Sequence, residues 1–253
     1  MNLQQKKDNS FLATEPLGRL LLKLSLPTVT AQVINMLYNI VDRIYIGHIP
    51  ETGALALTGV GVCMPLIMIV SAFAALVGNG GAPRASIFMG KGDKESAEQT
   101  LGNCFTTQIV VSLLLTLILF TGNKSFLMAF GASENTIPYA VAYMNIYSLG
   151  TIFVQLTLGM NAFITAQGFA KTSMLSVLVG AASNIILDPI FIFALHMGVR
   201  GAALATIVSQ ALSCTWVLHF LMGKKSYLKI HRCNMKLKND IILPSLALGL
   251  STF

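Results

Sequence analysis

The chain has 253 residues, of which 54% are hydrophobic and only 11% charged, whereas a soluble globular domain is about one-quarter charged. This composition excludes a water-facing globular protein, because the charged side chains are too few to cover its surface. The net charge of +7 could indicate nucleic-acid binding, but the basic residues flank apolar blocks and are not interleaved with aromatic residues, so no nucleic-acid partner is expected.

Six apolar blocks follow one another along the chain, each long enough to cross a bilayer core of roughly 30 Å as a helix. They show neither period-2 alternation nor regular turn residues, which argues against a membrane β-barrel. We therefore predict an all-α membrane protein, a bundle of six transmembrane helices in a lipid bilayer. The approximate spans are Leu21–Ile49, Val60–Met89, Thr100–Gly122, Tyr139–Ala162, Ser173–Leu195 and Ala202–Met222.

The distribution of basic residues predicts the domain organisation and the orientation. Residues 1–222 form the predicted six-helix lobe, residues 223–240 a basic cytoplasmic linker, and residues 241–253 the truncated start of a seventh helix. With a cytoplasmic N-terminus, only three of the 17 Lys and Arg residues fall on or near the outer side (Arg43, Lys124 and Arg200). Because cytoplasmic loops are rich in Lys and Arg, we expect a multi-pass protein of the cell (plasma or inner) membrane with its N-terminus inside.

Two acidic residues, Asp42 and Asp188, fall inside predicted spans. A charged carboxylate at the centre of a membrane helix costs on the order of 3 kcal/mol, so each needs a function or a partner. Arg43 adjoins Asp42, but neighbouring residues on a helix do not face each other. A structural, salt-bridged carboxylate is the alternative; a functional acid pair is the interpretation we favour.

Other polar residues are predicted at the same depth as the two acids. Thr206 in the sixth span and Tyr143 in the fourth lie about one turn from the same outer end. Asn184 is four residues from Asp188 and therefore lies on the same helix face. The first span carries its own polar face at helical spacing, and its members are Gln32, Asn35, Tyr38, Asn39 and Asp42.

Pro189, which lacks an N–H, leaves the Ile185 carbonyl without its helical partner and adds an oxygen to this level. Such an oxygen-rich group of side chains suits a small hard cation or a shared proton. Ordinary interhelical hydrogen bonding remains the alternative for each amide or hydroxyl taken singly.

Several segments resemble the multidrug and toxic compound extrusion (MATE) family, in its prokaryotic branch. They are YNIVDRIYIGHI with TGALALTGVGVCMPL, VGNGGAPRASIFMGKGDKESAEQTLGN, NAFITAQGFAKTSM, SNIILDPIFIF and GVRGAALATIVSQAL. The resemblance covers nearly the whole chain from about Leu17. It implies the N-terminal half of a transporter of about twelve helices in two lobes, lacking the C-terminal lobe that would be its partner.

The resemblance also implies roles for individual residues. It assigns a cation or proton site to Asp42, Asn184, Asp188, Thr206 and the carbonyl of Ala202, with Asp42, Asn184, Asp188 and Thr206 holding Na⁺ if sodium drives transport. Tyr38 and Tyr143 would support the site by hydrogen bonds, and Pro27 matches a proline at which the first helix of some relatives bends. One departure is Thr165, where many relatives carry Arg.

The function expected from these residues is antiport, in which lipophilic organic cations leave the cell in exchange for H⁺ or Na⁺. We expect no cofactor besides that coupling ion, a monomer, no enzymatic activity, and no competence of this half alone. The alternatives are a lipid-linked oligosaccharide flippase of the same superfamily, and a seven-helix receptor or channel. An intramembrane enzyme is disfavoured because the sequence has no GxSG motif, paired histidines or metal-ligand spacing.

Overall fold

The computed structural model describes residues 16–252, apart from the side chains of Leu20, Leu24 and Thr252. Within this part the regular elements are helices, and no strand occurs. The helices are α1 (Leu17–Gly47), α2 (Gly53–Gly90), α3 (Lys94–Ala129), α4 (Ile137–Leu149), α5 (Thr151–Ala166), α6 (Ala170–Pro189), α7 (Val199–Met222) and α8 (Asn239–Gly249). A π-helical turn, Ile190–Ala194, follows α6, and 3₁₀ turns occupy Arg232–Met235 and Leu250–Thr252.

Five helical segments of the described chain are long and apolar enough to cross a membrane: α1, α2, α3, α6 with its π turn, and α7. The consecutive helices α4 and α5 make a sixth if they are counted as one span, bent by 57°. This confirms the predicted six-helix membrane fold. We refer to the end of the bundle where α1 ends and α2 begins as the His48 end, and to the end where α2 ends and α3 begins as the Lys91 end.

The fourth predicted span, Tyr139–Ala162, is broken at Gly150, which the sequence did not indicate. The Gly150 N–H donates to the Tyr147 carbonyl, and the Phe153 N–H donates to the Gly150 carbonyl, each at 3.0 Å and with the short i→i−3 spacing. A Cβ at Gly150 would collide with the side chain of Ile207 on α7. Glycine therefore lets α7 approach the break, and the tightened hydrogen bonds turn the chain there.

Helix α6 ends at Pro189, directly after Asp188. Because proline has no N–H, the regular hydrogen-bond ladder cannot continue through it. The backbone continues as a π turn in which the Leu195 N–H donates to the Ile190 carbonyl at 2.9 Å. Single π turns inside α-helices are frequent at functional sites, and this one immediately follows a buried acid.

Helix α1 is the most loosely held span. It packs along α6 and makes far less contact with α2 and α7, whereas α2 packs against α3, α5 and α8. Large apolar side chains of α1 remain uncovered by protein, for example Leu26 (67% exposed) and Met36 (68% exposed). Helix α1 is therefore the element that can move at the smallest loss of packing.

The segment between α7 and α8 is fastened to the Lys91 end by buried side chains. The Gln167 Oε1 atom accepts hydrogen bonds from the Ser226 hydroxyl (3.0 Å) and the Leu228 N–H (2.9 Å). The Asn103 Oδ1 atom accepts from the Lys238 N–H at 2.7 Å. We call this set of contacts the linker anchor. It fixes the segment between α7 and α8 to the Lys91 end of the bundle.

Helix α8 then lies directly against α2. A Cβ at Gly80 would collide with the Ser245 carbonyl of α8, so glycine permits the close approach. The Arg84 guanidinium donates to the carbonyls of Ile241 (2.9 Å) and Asp240 (3.2 Å). The first turn of α8 is thereby fixed to α2.

Candidate cation site

Two buried carboxyl groups meet near the His48 end of the bundle. Asp42 on α1 is 9% exposed and Asp188 on α6 is 0% exposed, and the two carboxyl groups lie close enough to interact with each other. They meet because α1 packs along α6, and each acid lies within two turns of the end of its helix. The two acids singled out by sequence form one cluster.

Neither carboxylate is neutralised by an ion pair with a described residue. The Asp42 Oδ1 and Asp188 Oδ2 atoms are buried without a hydrogen-bond partner among the described residues. The nearest basic group, Arg43, places its guanidinium against the Met64 sulfur at 3.1 Å. Because a buried anion without a partner is very unfavourable, the pair requires a proton or a bound cation.

Asn184 extends the cluster along α6. Its Nδ2 donates to the Asp188 Oδ1 atom at 3.3 Å, as the i,i+4 spacing predicts, and its side chain is 1% exposed. The Asn184 Oδ1 atom has no partner within the described chain. Three acceptor oxygens of Asp42, Asn184 and Asp188 are thus left without donors in a small region.

Three other predicted residues, Tyr38, Tyr143 and Thr206, line the same cavity as Asp42. The Thr206 hydroxyl donates to the Ala202 carbonyl at 3.0 Å, so these two groups satisfy each other. Tyr143 lies near Thr206 and Asp42. Tyr38 lies near both acids.

A cavity of about 230 Å³ opens beside Asp42, between α1 and the helices that α1 contacts little. Its wall combines polar groups with a deformable apolar surface that includes Met64, Met68 and Tyr147. Arg43 is the one basic side chain among the described residues that line it. The other polar residues of α1 that line it are Asn35, Tyr38, Asn39 and Asp42.

Two predicted residues lie away from this centre. Pro27 is fifteen residues before Asp42, about 22 Å along the helix axis, and α1 runs through it as one continuous helix. Gln32, which the helical phase placed on the polar face of α1, is exposed and does not line the cavity.

Sequence reasoning missed Gln210, which lies near Tyr38 and lines the cavity with it. Its spacing of four residues from Thr206 was the available signal, because residues at i and i+4 share a helix face. Sequence reasoning also placed Arg43 on or near the outer side and rejected it as a partner for Asp42, but did not place it in the cavity wall, where the structure has it.

The oxygens of Asp42, Asn184, Asp188 and Thr206 are the groups that could hold a hard monovalent cation. No cluster of three or more His, Cys, Asp or Glu side chains suited to a metal occurs in the part of the chain that is described. Chemically, the arrangement can take up one positive charge. A proton or cation bound there would remove the unfavourable free energy of two buried carboxyl groups that have no partner.

These features define a helical membrane protein with a buried acid pair beside an internal cavity, a combination typical of secondary transporters. The MatE family model matches residues 27–190. The chain therefore belongs to the MatE family and is an integral membrane protein of the MATE efflux-transporter type.

Individual relatives agree with this assignment. The chain is 27% identical over 229 residues to the multidrug export protein MepA of Staphylococcus haemolyticus. The matched segment covers 90% of this chain and 50% of the relative. A solved MOP superfamily transporter from Pyrococcus furiosus, described as having a binding pocket of reverse polarity, superimposes with a TM-score of 0.87 at 26% identity. It covers 96% of this chain and 53% of that structure.

A further solved structure, described as MATE in the straight conformation, matches with the same TM-score of 0.87 and 26% identity. The match covers 96% of this chain and 54% of the chain of that structure. The chain thus spans about half the length of the relatives it matches.

Proposed function

We propose that this chain forms the N-terminal lobe of a cation-coupled multidrug antiporter that exports lipophilic organic cations in exchange for H⁺ or Na⁺. The observation that carries the proposal is the buried pair of Asp42 and Asp188, which has no cationic partner among the described residues and lies beside a cavity. Membership of the MatE family and similarity to proteins named as multidrug exporters support it. The protein acts as a transporter and not as an enzyme.

The coupling step uses the charge of the acid pair. When a cation or proton arrives, the pair becomes neutral or singly charged, which removes the cost of the unpaired charge. Helix α1, which is held mainly by α6, then rearranges about the Pro27 region and closes the cavity. Export follows only if the ion and the organic cation favour different arrangements of α1.

The cavity lining suits the proposed substrates. Methionine and aromatic side chains present a polarizable, adaptable surface that accommodates many lipophilic shapes. A drug-sized ligand needs about 300–1,000 Å³, and the cavity measures about 230 Å³. We infer that a second lobe completes the binding chamber, with residues 223–240 as the connection between the lobes.

The proposed location is the cell membrane, with the Lys91 end in the cytoplasm. Basic residues concentrate at that end, for example Lys91, Lys94 and those of the 223–240 segment, whereas Arg43, Lys124 and Arg200 belong to the His48 half. The positive-inside rule supports this orientation. No observation favours the flippase, for which several basic cavity residues would be expected, or a seven-helix receptor or channel.

The test is ion-driven efflux of ethidium by the full-length gene product in an efflux-deficient bacterium. Asp42→Asn and Asp188→Asn are each expected to abolish efflux while membrane insertion and abundance remain normal, because the amide cannot give up or take up the coupling charge. Glu134→Gln, an exposed carboxylate of the same end, is the matched control and should transport normally. Retained efflux in both aspartate variants would refute the proposal.

A further inference from the structure

A second, smaller cavity of about 40 Å³ lies on the Lys91 side of the acid pair, among α1, α5, α6 and α7. One of its walls is Asn184, whose Nδ2 donates to the Asp188 carboxylate. Tyr38, Thr206 and Gln210 line both this cavity and the larger one. The small cavity therefore begins at the acid pair and leads away from the His48 end.

Three buried polar atoms of the residues that line this space lack partners. Ser209 is 3% exposed and Asn184 1% exposed, and the Ser209 hydroxyl, the Asn184 Oδ1 atom and the Asn161 Oδ1 atom are buried without a hydrogen bond to any described residue. Buried polar groups are normally satisfied by protein or by water. A space of this size holds about three water molecules at 10–15 Å³ each, so internal water fits both the volume and the unpaired atoms.

Hydroxyl and amide groups continue this line toward the Lys91 end. The Ser213 hydroxyl donates to the Ser176 carbonyl at 2.7 Å. Asn161 Nδ2 donates to the Ser176 hydroxyl at 3.0 Å, and that hydroxyl donates to the Ser173 carbonyl at 2.7 Å. Ser173 lies in the first turn of α6, which starts at Ala170, so polar groups extend along about 16 Å of helix from Asn184.

None of the residues that line the small cavity carries a charge. A narrow, neutral, hydrated passage transmits protons by relay between water molecules, which the polar side chains hold in place, but it offers no anionic ligand and little room for a hydrated metal ion. The acid pair at its head supplies the proton, and water at the Lys91 end receives it.

We propose that this small cavity and the Ser213–Ser176–Asn161 line form a hydrated path by which the coupling proton leaves the acid pair toward the Lys91 end. The inference rests on the proposed antiport function and adds to it the identity of the ion and its exit route. In each transport cycle one proton leaves a carboxyl group of the Asp42–Asp188 pair, moves through water and is taken up by bulk water at the Lys91 end, with no other bond formed or broken.

Gly180 offers the test, because it lines the cavity and a Cβ there would meet Ser213 at 3.4 Å, an ordinary contact. Gly180→Ala therefore fits, whereas Gly180→Leu fills the water space. The full-length gene product is reconstituted in proteoliposomes, and tetraphenylphosphonium transport and luminal pH are followed under an imposed pH gradient. We expect Gly180→Leu to slow coupled proton movement by about tenfold or more and Gly180→Ala by less than about twofold.

Tetraphenylphosphonium binding, measured in parallel, should change less than about twofold in the leucine variant, which separates a blocked path from a misfolded protein. If Gly180→Leu does not fold, Ser209→Ala removes an unpaired hydroxyl without adding bulk, and we expect proton movement to slow by about threefold. Parental proton movement in a folded Gly180→Leu protein, or in Ser209→Ala where the leucine variant does not fold, would overturn the path.

The outcome also separates this inference from the proposed function. Transport driven only by Na⁺, without proton movement, overturns the proton path and leaves cation-coupled antiport standing. Efflux that survives both Asp42→Asn and Asp188→Asn overturns the function and the path together.

Discussion

The two ends of the bundle differ in whether their buried polar groups have hydrogen-bond partners. At the Lys91 end, the linker anchor gives the Gln167 Oε1 atom two donors and gives Asn103 a backbone donor from Lys238. Near the His48 end, the Asp42, Asn184 and Asp188 side chains each retain an oxygen without a partner in the described chain. The first group is satisfied by the protein itself and the second is not.

The difference indicates which group is structural and which is functional. A fully hydrogen-bonded buried amide fixes one backbone arrangement and stabilises it. An unpaired acid pair lowers stability, and a protein keeps it because a transient ligand completes it. The comparison therefore predicts opposite effects of substitution at the two ends.

The largest effect on stability is expected from Gln167→Met, which keeps the volume and removes the amide. The Leu228 N–H would be left buried without an acceptor and the Ser226 hydroxyl would lose one bond, at a cost of about 2–4 kcal/mol together. Thermal unfolding in detergent measures this loss. Gln99→Met, which alters hydrogen bonds in an exposed setting to Glu95 and Lys238, is the control and should change little.

A smaller effect of opposite sign is expected from Asp188→Asn. The amide keeps the shape, cannot carry the unpaired charge, and can donate to the Asp42 carboxylate, so the unfolding free energy should rise by about 1–2 kcal/mol. The measurement is thermal unfolding of this variant, compared with the parent protein and with Glu134→Gln as the control. A marked loss of stability would show that the acid pair is a structural feature and would remove the contrast between the two ends.

The smallest effect is expected at Asp93, which caps the N-terminus of α3 by accepting from the Ser96 N–H at 3.0 Å. Hydrogen bonds from Ser96 lower the pKa of this exposed carboxyl below its ordinary value. A lowered pKa means that the contribution to stability is present above the ordinary Asp pKa of about 4 and is lost as the pH falls through the lowered value.

Asp93→Ala should therefore reduce the unfolding temperature slightly at neutral pH, and the difference from the parent should shrink in acid. Asp93→Asn keeps a good capping group without the charge, so its stability should not follow this pH dependence. A difference between parent and Asp93→Ala that grows as the pH falls would contradict the capping role.

Much of the candidate site could be predicted from sequence because its signals are local. An acid inside an apolar span stands out against its neighbours, and the i,i+4 spacing of Asn184 and Asp188 places both on one face of a helix. Gln210 gave a weaker signal, since a single glutamine in a span is as easily explained by ordinary interhelical hydrogen bonding.

The sequence by itself determined the class of protein, the number of spans and the shared face of Asn184 and Asp188, because length, hydropathy and helical period are properties of each segment alone. The break at Gly150, the linker anchor and the two cavities were decided by tertiary structure. They depend on which residues are in contact. Ile207 packs against Gly150 at the break, α1 packs mainly against α6 beside the cavities, and the Leu228 N–H donates to Gln167 in the linker anchor. Such contacts join residues far apart in the chain, and no local pattern records them.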